Sequence, residues 1–348
     1  MKKRVLFCVP PNCGGAERVT LTIAKLLDRE LYDVTIVIVG KTKGEIIKFI
    51  PSYFDVVHVK IRNIWDFTTF RLVRLFRKIC PDIVFCSLIY LNIRVLLAAH
   101  IVGRIKTIVR SNIGLYRLRT DIAFLAKKVY PLADAIILQS DEMKMEFLKW
   151  KNVHKERLHV IFNPIDIDSI EKGLRQSSSP YDSRYINYVF VGRIDYCKGL
   201  DVLLEAFAEL IKSKENSRLH LIGKIIESDS YYCKLKQQVA MLGLDEYVSW
   251  KGFTPNPYPY IKYADCLVLP SRVEGLPNVV LDAMYLHIPV VVTRSVPVID
   301  RLVPSTRGIV INVEDVESLQ RAMKQVLKMK IEDDYHQSSI TELLTLFK

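Results

Sequence analysis

The sequence predicts an α/β protein made of two doubly wound domains, each a parallel sheet covered by helices on both faces. Three observations carry this expectation. Short β-branched runs recur along the whole chain, with helical stretches between them. Those runs are continuously apolar rather than alternating, the pattern of strands buried on both faces. A length of 348 residues also makes about two domains, at roughly 150 residues each.

Taken in order, the expected strands of the first half are 5–9, 34–39, 56–59, 83–86, 107–109, 135–138 and 159–162. Those of the second half are 188–191, 219–222, 247–250, 266–269, 289–292 and 308–311. Helices fill the intervals. In 200–211, Leu200, Leu203, Leu204, Phe207 and Leu210 keep the i, i+3, i+4, i+7 stripe of a helix packed on one side. A helix over 66–80 places Phe67, Phe70, Val73, Phe76 and Ile79 on one side, with Arg71, Arg74, Arg77 and Lys78 elsewhere. Its basic face is either solvated or a surface for anionic lipid. The repeated βαβα order is that of doubly wound folds. The weakest stretch, 163–185, is polar, Ser-rich and marked by Pro164 and Pro180. The expected organisation is therefore a first domain over 1–164, a hinge over 165–185 and a second domain over 186–330. A C-terminal helix over 331–348 is assigned to neither domain.

Composition narrows the class of function. Half the residues are apolar and a quarter charged, as in ordinary globular chains. Lys and Arg number 50 against 38 Asp and Glu, a net charge of +12. The first 160 residues hold 28 basic and 14 acidic side chains and the remainder 22 and 24, so the halves carry +14 and −2. Such asymmetry points to different partners for the two halves. Nucleic acid is disfavoured, because the 17 tyrosines are not interleaved with basic residues as stacking platforms. Seven scattered cysteines without a C-x-x-C pair support neither a disulfide framework nor a zinc site, and they fit a reducing cytosol. The best candidate for a membrane span, 279–292, is short and broken by Asp282 and His287, so no spanning helix is expected. Only six apolar residues follow the basic residues 2–4, which reads as a first strand rather than a signal peptide.

Three motifs carry chemistry. The first is Pro11-Asn12-Cys13-Gly14-Gly15-Ala16-Glu17-Arg18, between the first strand and an apolar-striped helix. Its glycines let a ligand approach the backbone, and amides at a helix start favour an anion. G-x-G-x-x-G is absent, so a nicotinamide dinucleotide is not indicated. The second, Gly192-Arg193-Ile194-Asp195-Tyr196-Cys197-Lys198-Gly199, again joins strand to helix. An Arg fork with a Lys point charge suits a diphosphate, although singly either residue could be a solvated loop charge. The third is Ser271-Arg272-Val273-Glu274-Gly275-Leu276-Pro277-Asn278-Val279-Val280-Leu281-Asp282. Glu274 follows a strand, Pro277 suits the first turn of a helix, and residues 276–279 would present amides. Two carboxylates, Glu274 and Asp282, facing amides suit a sugar nucleotide: acids for hydroxyls, amides for phosphate oxygens. Asp166-Ile167-Asp168 resembles a metal-binding acid pair, but it belongs to the hinge, and no metal site is expected.

In this order, with Asn163-Pro164-Ile165-Asp166 between them, the motifs resemble family 4 glycosyltransferases (group 1), retaining enzymes of the GT-B fold. The resemblance covers nearly the whole chain. It implies two Rossmann-like domains facing each other across a cleft, with Gly14 and Gly15 near donor phosphate and acceptor. Arg193 and Lys198 would hold the diphosphate, and Glu274 would contact the donor sugar. Amides of Leu276, Pro277, Asn278 and Val279 would bind phosphate and Asp282 the ribose hydroxyls, while Trp250-Lys251-Gly252-Phe253 would frame the nucleobase. Catalytic weight would fall on Glu274, Arg193 and Lys198, with front-face displacement and no metal. There are departures. The second acid is Asp282 where the family usually has Glu. Arg110 or Ser111 stands where many members carry His, His287 precedes Ile288-Pro289, and Ser295-Val296-Pro297 replaces a common Gly-Gly.

The expected protein is thus a hexosyltransferase-type enzyme using a nucleotide sugar, with UDP as the expected nucleotide. Its acceptor would be a glycan or polyprenyl-diphosphate-linked glycan in polysaccharide or lipopolysaccharide assembly. It would be cytoplasmic, at the inner leaflet of the membrane. The alternatives are a sugar-nucleotide epimerase of the same fold and a non-catalytic basic protein binding membrane or nucleic acid.

Overall fold

A computed structural model describes every residue except 13, 62–67, 113–118, 214, 226–227 and 332–338. It divides into two compact units, 1–165 with 337–348, and 166–336.

The first unit runs β1 (Lys3–Val9), α1 (Gly15–Leu26), β2 (Tyr32–Gly40), β3 (Asp55–Lys60), α2 (Thr68–Ile79) and β4 (Ile83–Cys86). It continues α3 (Ile89–Val102), β5 (Lys106–Arg110), α4 (Thr120–Val129), β6 (Ala135–Leu138), α5 (Asp141–Leu148) and β7 (Leu158–Val160). Its seven strands are all parallel, in the order β3-β2-β1-β4-β5-β6-β7. The second unit opens with α6 (Ile167–Leu174), β8 (Ile186–Val191), α7 (Leu200–Lys212), β9 (Ser217–Ile222), α8 (Ser230–Met241) and β10 (Val248–Gly252). Then follow α9 (Tyr258–Lys262), β11 (Cys266–Leu269), α10 (Asn278–Tyr285), β12 (Val290–Thr293), α11 (Ile299–Leu302), β13 (Gly308–Ile311) and α12 (Val316–Val326). Its parallel sheet has the order β10-β9-β8-β11-β12-β13. The last helix, α13 (Ser339–Thr345), belongs to the first unit.

The continuous apolar runs have a direct structural cause. Along β1, Val5, Phe7 and Val9 pack against one helical layer with α1 residues Val19 and Ile23, while Leu6 and Cys8 pack against Leu72 and Phe76 of α2 and Val95 of α3. Neither face of the strand meets water, so polar residues have no place in it. Around β5 and β6, Val109, Ile136 and Leu138 share a third cluster with Ile93, Val129 and Phe147. The C-terminal segment closes the first layer: Phe347 stacks at 5.9 Å from Phe7 and 6.0 Å from Phe85.

The structure differs from the expected boundaries at three places. Part of the expected hinge is helix α6, held in the second unit with Asp166 as its cap, the Ser169 amide donating to its carboxylate at 3.2 Å. Phe70 of α2 is exposed, because Leu72, Val73 and Phe76 face the sheet instead. Phe67 lies outside the described residues. Strand β7 stops at Val160, before Phe162.

In each unit strand order reverses beside the first strand, between β1 and β4 and between β8 and β11. Such switch points leave a crevice at the carboxyl ends of the strands, where loops diverge to opposite faces.

Candidate active site

In the second unit the loops on either side of the switch point are the second and third motifs. The loop after β8 begins with a close backbone passage. Gly192 donates to Ile222 O at 2.9 Å, and a Cβ placed on Gly223 would lie 1.6 Å from the Gly192 carbonyl. Only glycine passes there. The loop then makes a single turn, Tyr196–Lys198, ended by Gly199 at φ +63°, where a Cβ would meet Pro270 O at 2.2 Å. That contact seats the β8 loop on the end of β11 and brings Lys198 to Glu274.

Lys198 Nζ lies 2.6 Å from Glu274 Oε1, with side chains 14% and 11% exposed. Ser271 Oγ donates to the same oxygen at 2.7 Å, and the Glu274 amide donates to Ser295 O at 3.2 Å. Thr293 Oγ1 donates to the Ser271 carbonyl. One carboxylate oxygen is thereby held by two donors, and the backbone beneath it is fixed to Ser295. Arg193 behaves differently: its side chain is 78% exposed and pairs with Asp195 at 3.3 Å. Of the two expected diphosphate cations, one is enclosed and one is an exposed arm.

Helix α10 starts at Asn278 with Pro277 as its cap, one position later than expected for a first-turn proline. One of the amides anticipated for phosphate needs correcting. Pro277 has no N–H, so its contribution is to fix the chain entering the helix. The Val280 amide donates to Pro277 O at 3.0 Å, and the amides of Leu276, Asn278 and Val279 belong to the chain entering the helix. Asp282, half-buried, is the fifth residue of α10 and shares its helical stripe with Asn278 and Tyr285. The Tyr285 hydroxyl is 3.4 Å from Glu171 of α6. Phe253 follows β10 and is 62% exposed, two strands away from β8 in the sheet order.

In the first unit Gly14 caps α1 and Gly15 is its first residue. The Gly14 amide donates at 3.0 Å to Glu17, a buried carboxylate. That amide is therefore matched to an internal anion. Arg110 and Ser111, at the place where a family histidine was sought, are both buried. The Arg110 guanidinium donates to Asn112 and Asn163, and burial pulls its pKa down to about 9. Among the described residues no carboxylate pairs with it. Asp166 acts as a helix cap, and among the described residues no three His, Cys, Asp or Glu side chains converge as a metal site would require. No helix among them is long and apolar enough to cross a membrane.

Sequence reasoning assigned no role to Ser271, Thr293 or Ser295. The one available signal was the place of Ser271, three residues before Glu274 in the same loop.

Two Rossmann-like units, with charged and glycine-bearing loops at the carboxyl edge of the second sheet, define the GT-B class of doubly wound proteins. Comparison with known proteins makes the assignment specific. Residues 13–169 match the model of glycosyltransferase family 4, and residues 174–340 that of glycosyl transferases group 1. An uncharacterized glycosyltransferase of Methanocaldococcus jannaschii is 27% identical over 277 residues, 72% of this chain and 66% of that one. A Campylobacter jejuni 4-alpha-N-acetylgalactosaminyltransferase, named for N-acetylgalactosamine-N,N'-diacetylbacillosaminyl-diphospho-undecaprenol, is 23% identical over 96% of this chain and 91% of its own. A crystal structure of Anabaena HepE in complex with UDP and glucose superposes with a TM-score of 0.77 at 17% identity, covering 98% and 96% of the two chains. The chain belongs to the group 1, family 4 glycosyltransferases, and it is a transferase of sugars.

Proposed function

We propose that this glycosyltransferase moves a sugar from a UDP-sugar onto a polyprenyl-diphosphate-linked glycan during cell-surface polysaccharide assembly, with retention at the anomeric carbon. The observation that carries the reading is the enclosed Lys198–Glu274 pair at the switch point of the second sheet, beside the start of α10. The names of the Campylobacter relative and of the UDP-bound Anabaena structure support the acceptor and the nucleotide.

In this mechanism the bond from anomeric carbon to diphosphate oxygen breaks and negative charge grows on the leaving UDP. Lys198, the Arg193 arm and the Leu276, Asn278 and Val279 amides stabilise that charge, doing the electrostatic work without a metal. Lys198 must turn from Glu274 to the diphosphate, which frees the Glu274 carboxylate for the hydroxyls of the donor sugar. Asp282 accepts from the ribose, and Phe253 with its neighbours borders the base. Front-face attack by the acceptor hydroxyl, which gives its proton to the departing diphosphate oxygen, leaves the anomeric configuration unchanged. The protein works at the cytoplasmic membrane face. Phe70 stands exposed on α2 among the exposed Arg74, Arg77 and Lys78, a combination suited to an anionic leaflet.

The test is transfer from a panel of UDP-, GDP- and ADP-sugars to a polyprenyl-diphosphate glycan, with product anomers read by NMR. The expected result is acceptor-dependent UDP release with the donor's anomeric configuration kept in the product. Conversion of the UDP-sugar to an isomer without acceptor would establish the epimerase instead.

A further inference from the structure

Arg272 has no place in the chemistry above, yet it is the most fully engaged side chain beside it. All five guanidinium N–H groups have acceptors. Nε donates to Glu314 Oε1 and Nη2 to Glu314 Oε2 at 3.1 Å. Nη2 also reaches Asp201 Oδ2 and Nη1 reaches Asp201 Oδ1, both at 2.8 Å, while Nη1 further donates to the Tyr196 carbonyl at 2.8 Å. The guanidinium lies 4.0 Å over the Tyr196 ring. Its own backbone amide donates to Cys197 O at 2.8 Å, and the Val273 amide to the same oxygen at 3.4 Å. With every donor used, Arg272 has none left for a ligand. What it does instead is tie four pieces of chain together: the turn after β8, the first turn of α7, the residue Glu314 beyond β13, and the loop of Glu274.

We infer that Arg272 is a positioning residue for the transfer reaction, locking the Lys198 turn to the Glu274 loop so that both side chains reach the donor from fixed backbone positions. The inference rests on the reading of Lys198 and Glu274 as site residues. Its physical content is geometric. Lys198 and Glu274 sit on separate loops 76 residues apart in sequence. Gly199 permits the two loops to touch at Pro270, and the amides of Arg272 and Val273 both bond Cys197 O, so the backbone joins the loops within one short stretch. Arg272 adds the direction, because a planar fork gripping two carboxylates and a carbonyl has one orientation, whereas an ammonium has none.

The experiment compares Arg272→Gln, Arg272→Lys and Asp201→Asn, each alone and with Glu274→Gln. Donor kinetics are measured together with hydrogen exchange of the full chain. For Arg272→Gln, kcat is expected to fall at least 30-fold while donor KM stays within about threefold. Arg272→Lys is expected to rescue little. The factor that Glu274→Gln costs in the parent should shrink to less than threefold in the Arg272→Gln background, since a carboxylate no longer placed has little to lose. Amides of 271–274 and 196–199 should exchange faster together, with α12 unchanged. A Glu274→Gln factor equal in both backgrounds, or exchange unaltered at both loops, would overturn the inference. If Glu274→Gln were silent in the parent, the site reading would fail at Glu274, and hydrogen exchange would still decide whether Arg272 positions the loops. Should Arg272→Gln not fold, Asp201→Asn removes one grip of the fork and is read the same way.

Discussion

Glu274→Gln is the perturbation whose consequences can be worked furthest, because it should move binding and catalysis in opposite directions. Lys198 is bonded to Glu274 at 2.6 Å, and both side chains are nearly out of solvent. A diphosphate must take the ammonium from that carboxylate. A charge-assisted bond of this kind contributes about 1.5–3 kcal/mol. Gln keeps the shape and can still accept from Ser271 Oγ, but it gives up the negative charge. Lys198 is then free for UDP, and the ceiling on the gain is about a 10- to 100-fold fall in UDP Kd. Turnover should fall, since the amide cannot serve the sugar hydroxyls as a carboxylate does. The loss should lie in kcat rather than KM. Calorimetric titration with UDP gives the first quantity and steady-state transfer the second. A UDP Kd that is unchanged or higher in Glu274→Gln would refute the idea that Lys198 is shared between carboxylate and diphosphate.

The other expectations can be stated briefly. Lys198→Ala should cost about 10- to 100-fold in kcat/KM for the donor, and Arg193→Ala, removing an exposed arm, distinctly less; equal losses would contradict the difference in burial. Asp282→Asn should raise donor KM with the melting temperature held, and a fully active Asp282→Ala variant would remove the ribose assignment. Phe347→Ala should destabilise the first unit by about 3–5 kcal/mol in urea unfolding, because the ring is fully buried between Phe7 and Phe85. His220 is buried, with Nε2 donating to Asn187 Oδ1 at 3.0 Å and Nδ1 facing Ser249 Oγ at 2.7 Å, and burial lowers its pKa to about 4, helped by Lys251 and Arg218. Its folded pKa lies below the unfolded value near 6.5, so its contribution is complete above that pH and is lost as pH falls towards 4. The loss amounts to at most about 3 kcal/mol, read as a decline in unfolding free energy that His220→Gln abolishes.

Much of the fold was legible because both faces of every central strand are covered. The run around Phe7 could only be apolar, and each of the thirteen expected strands has its counterpart in the two sheets. Boundaries were less legible where a single residue changes the meaning of its neighbours. Asp166 reads in the sequence as one of an acid pair in the hinge, yet as a cap it starts α6. Phe70 fits the periodicity of the buried stripe as well as Val73 does, but the stripe turns towards Leu72, and nothing local to the sequence chooses between them. At the site, the pairing of Lys198 with Glu274 was beyond any local pattern, since it depends on Gly199 meeting Pro270 across two loops. Arg110 was noticed as an oddity in the sequence, but its enclosure by neutral amides depends on β5 and Asn163 ending side by side.

The central claim is that the donor nucleotide lies at the carboxyl edge of the second sheet, between the loops after β8 and β11 and beside Phe253. The most direct measurement is photolabelling of the full chain with an azido-uridine diphosphate sugar, followed by peptide mapping. The account predicts UDP-suppressible label in peptides containing Trp250–Phe253, weakened in Lys198→Ala as donor affinity falls. Label that UDP does not suppress, or that maps to peptides of the first unit alone, would contradict it.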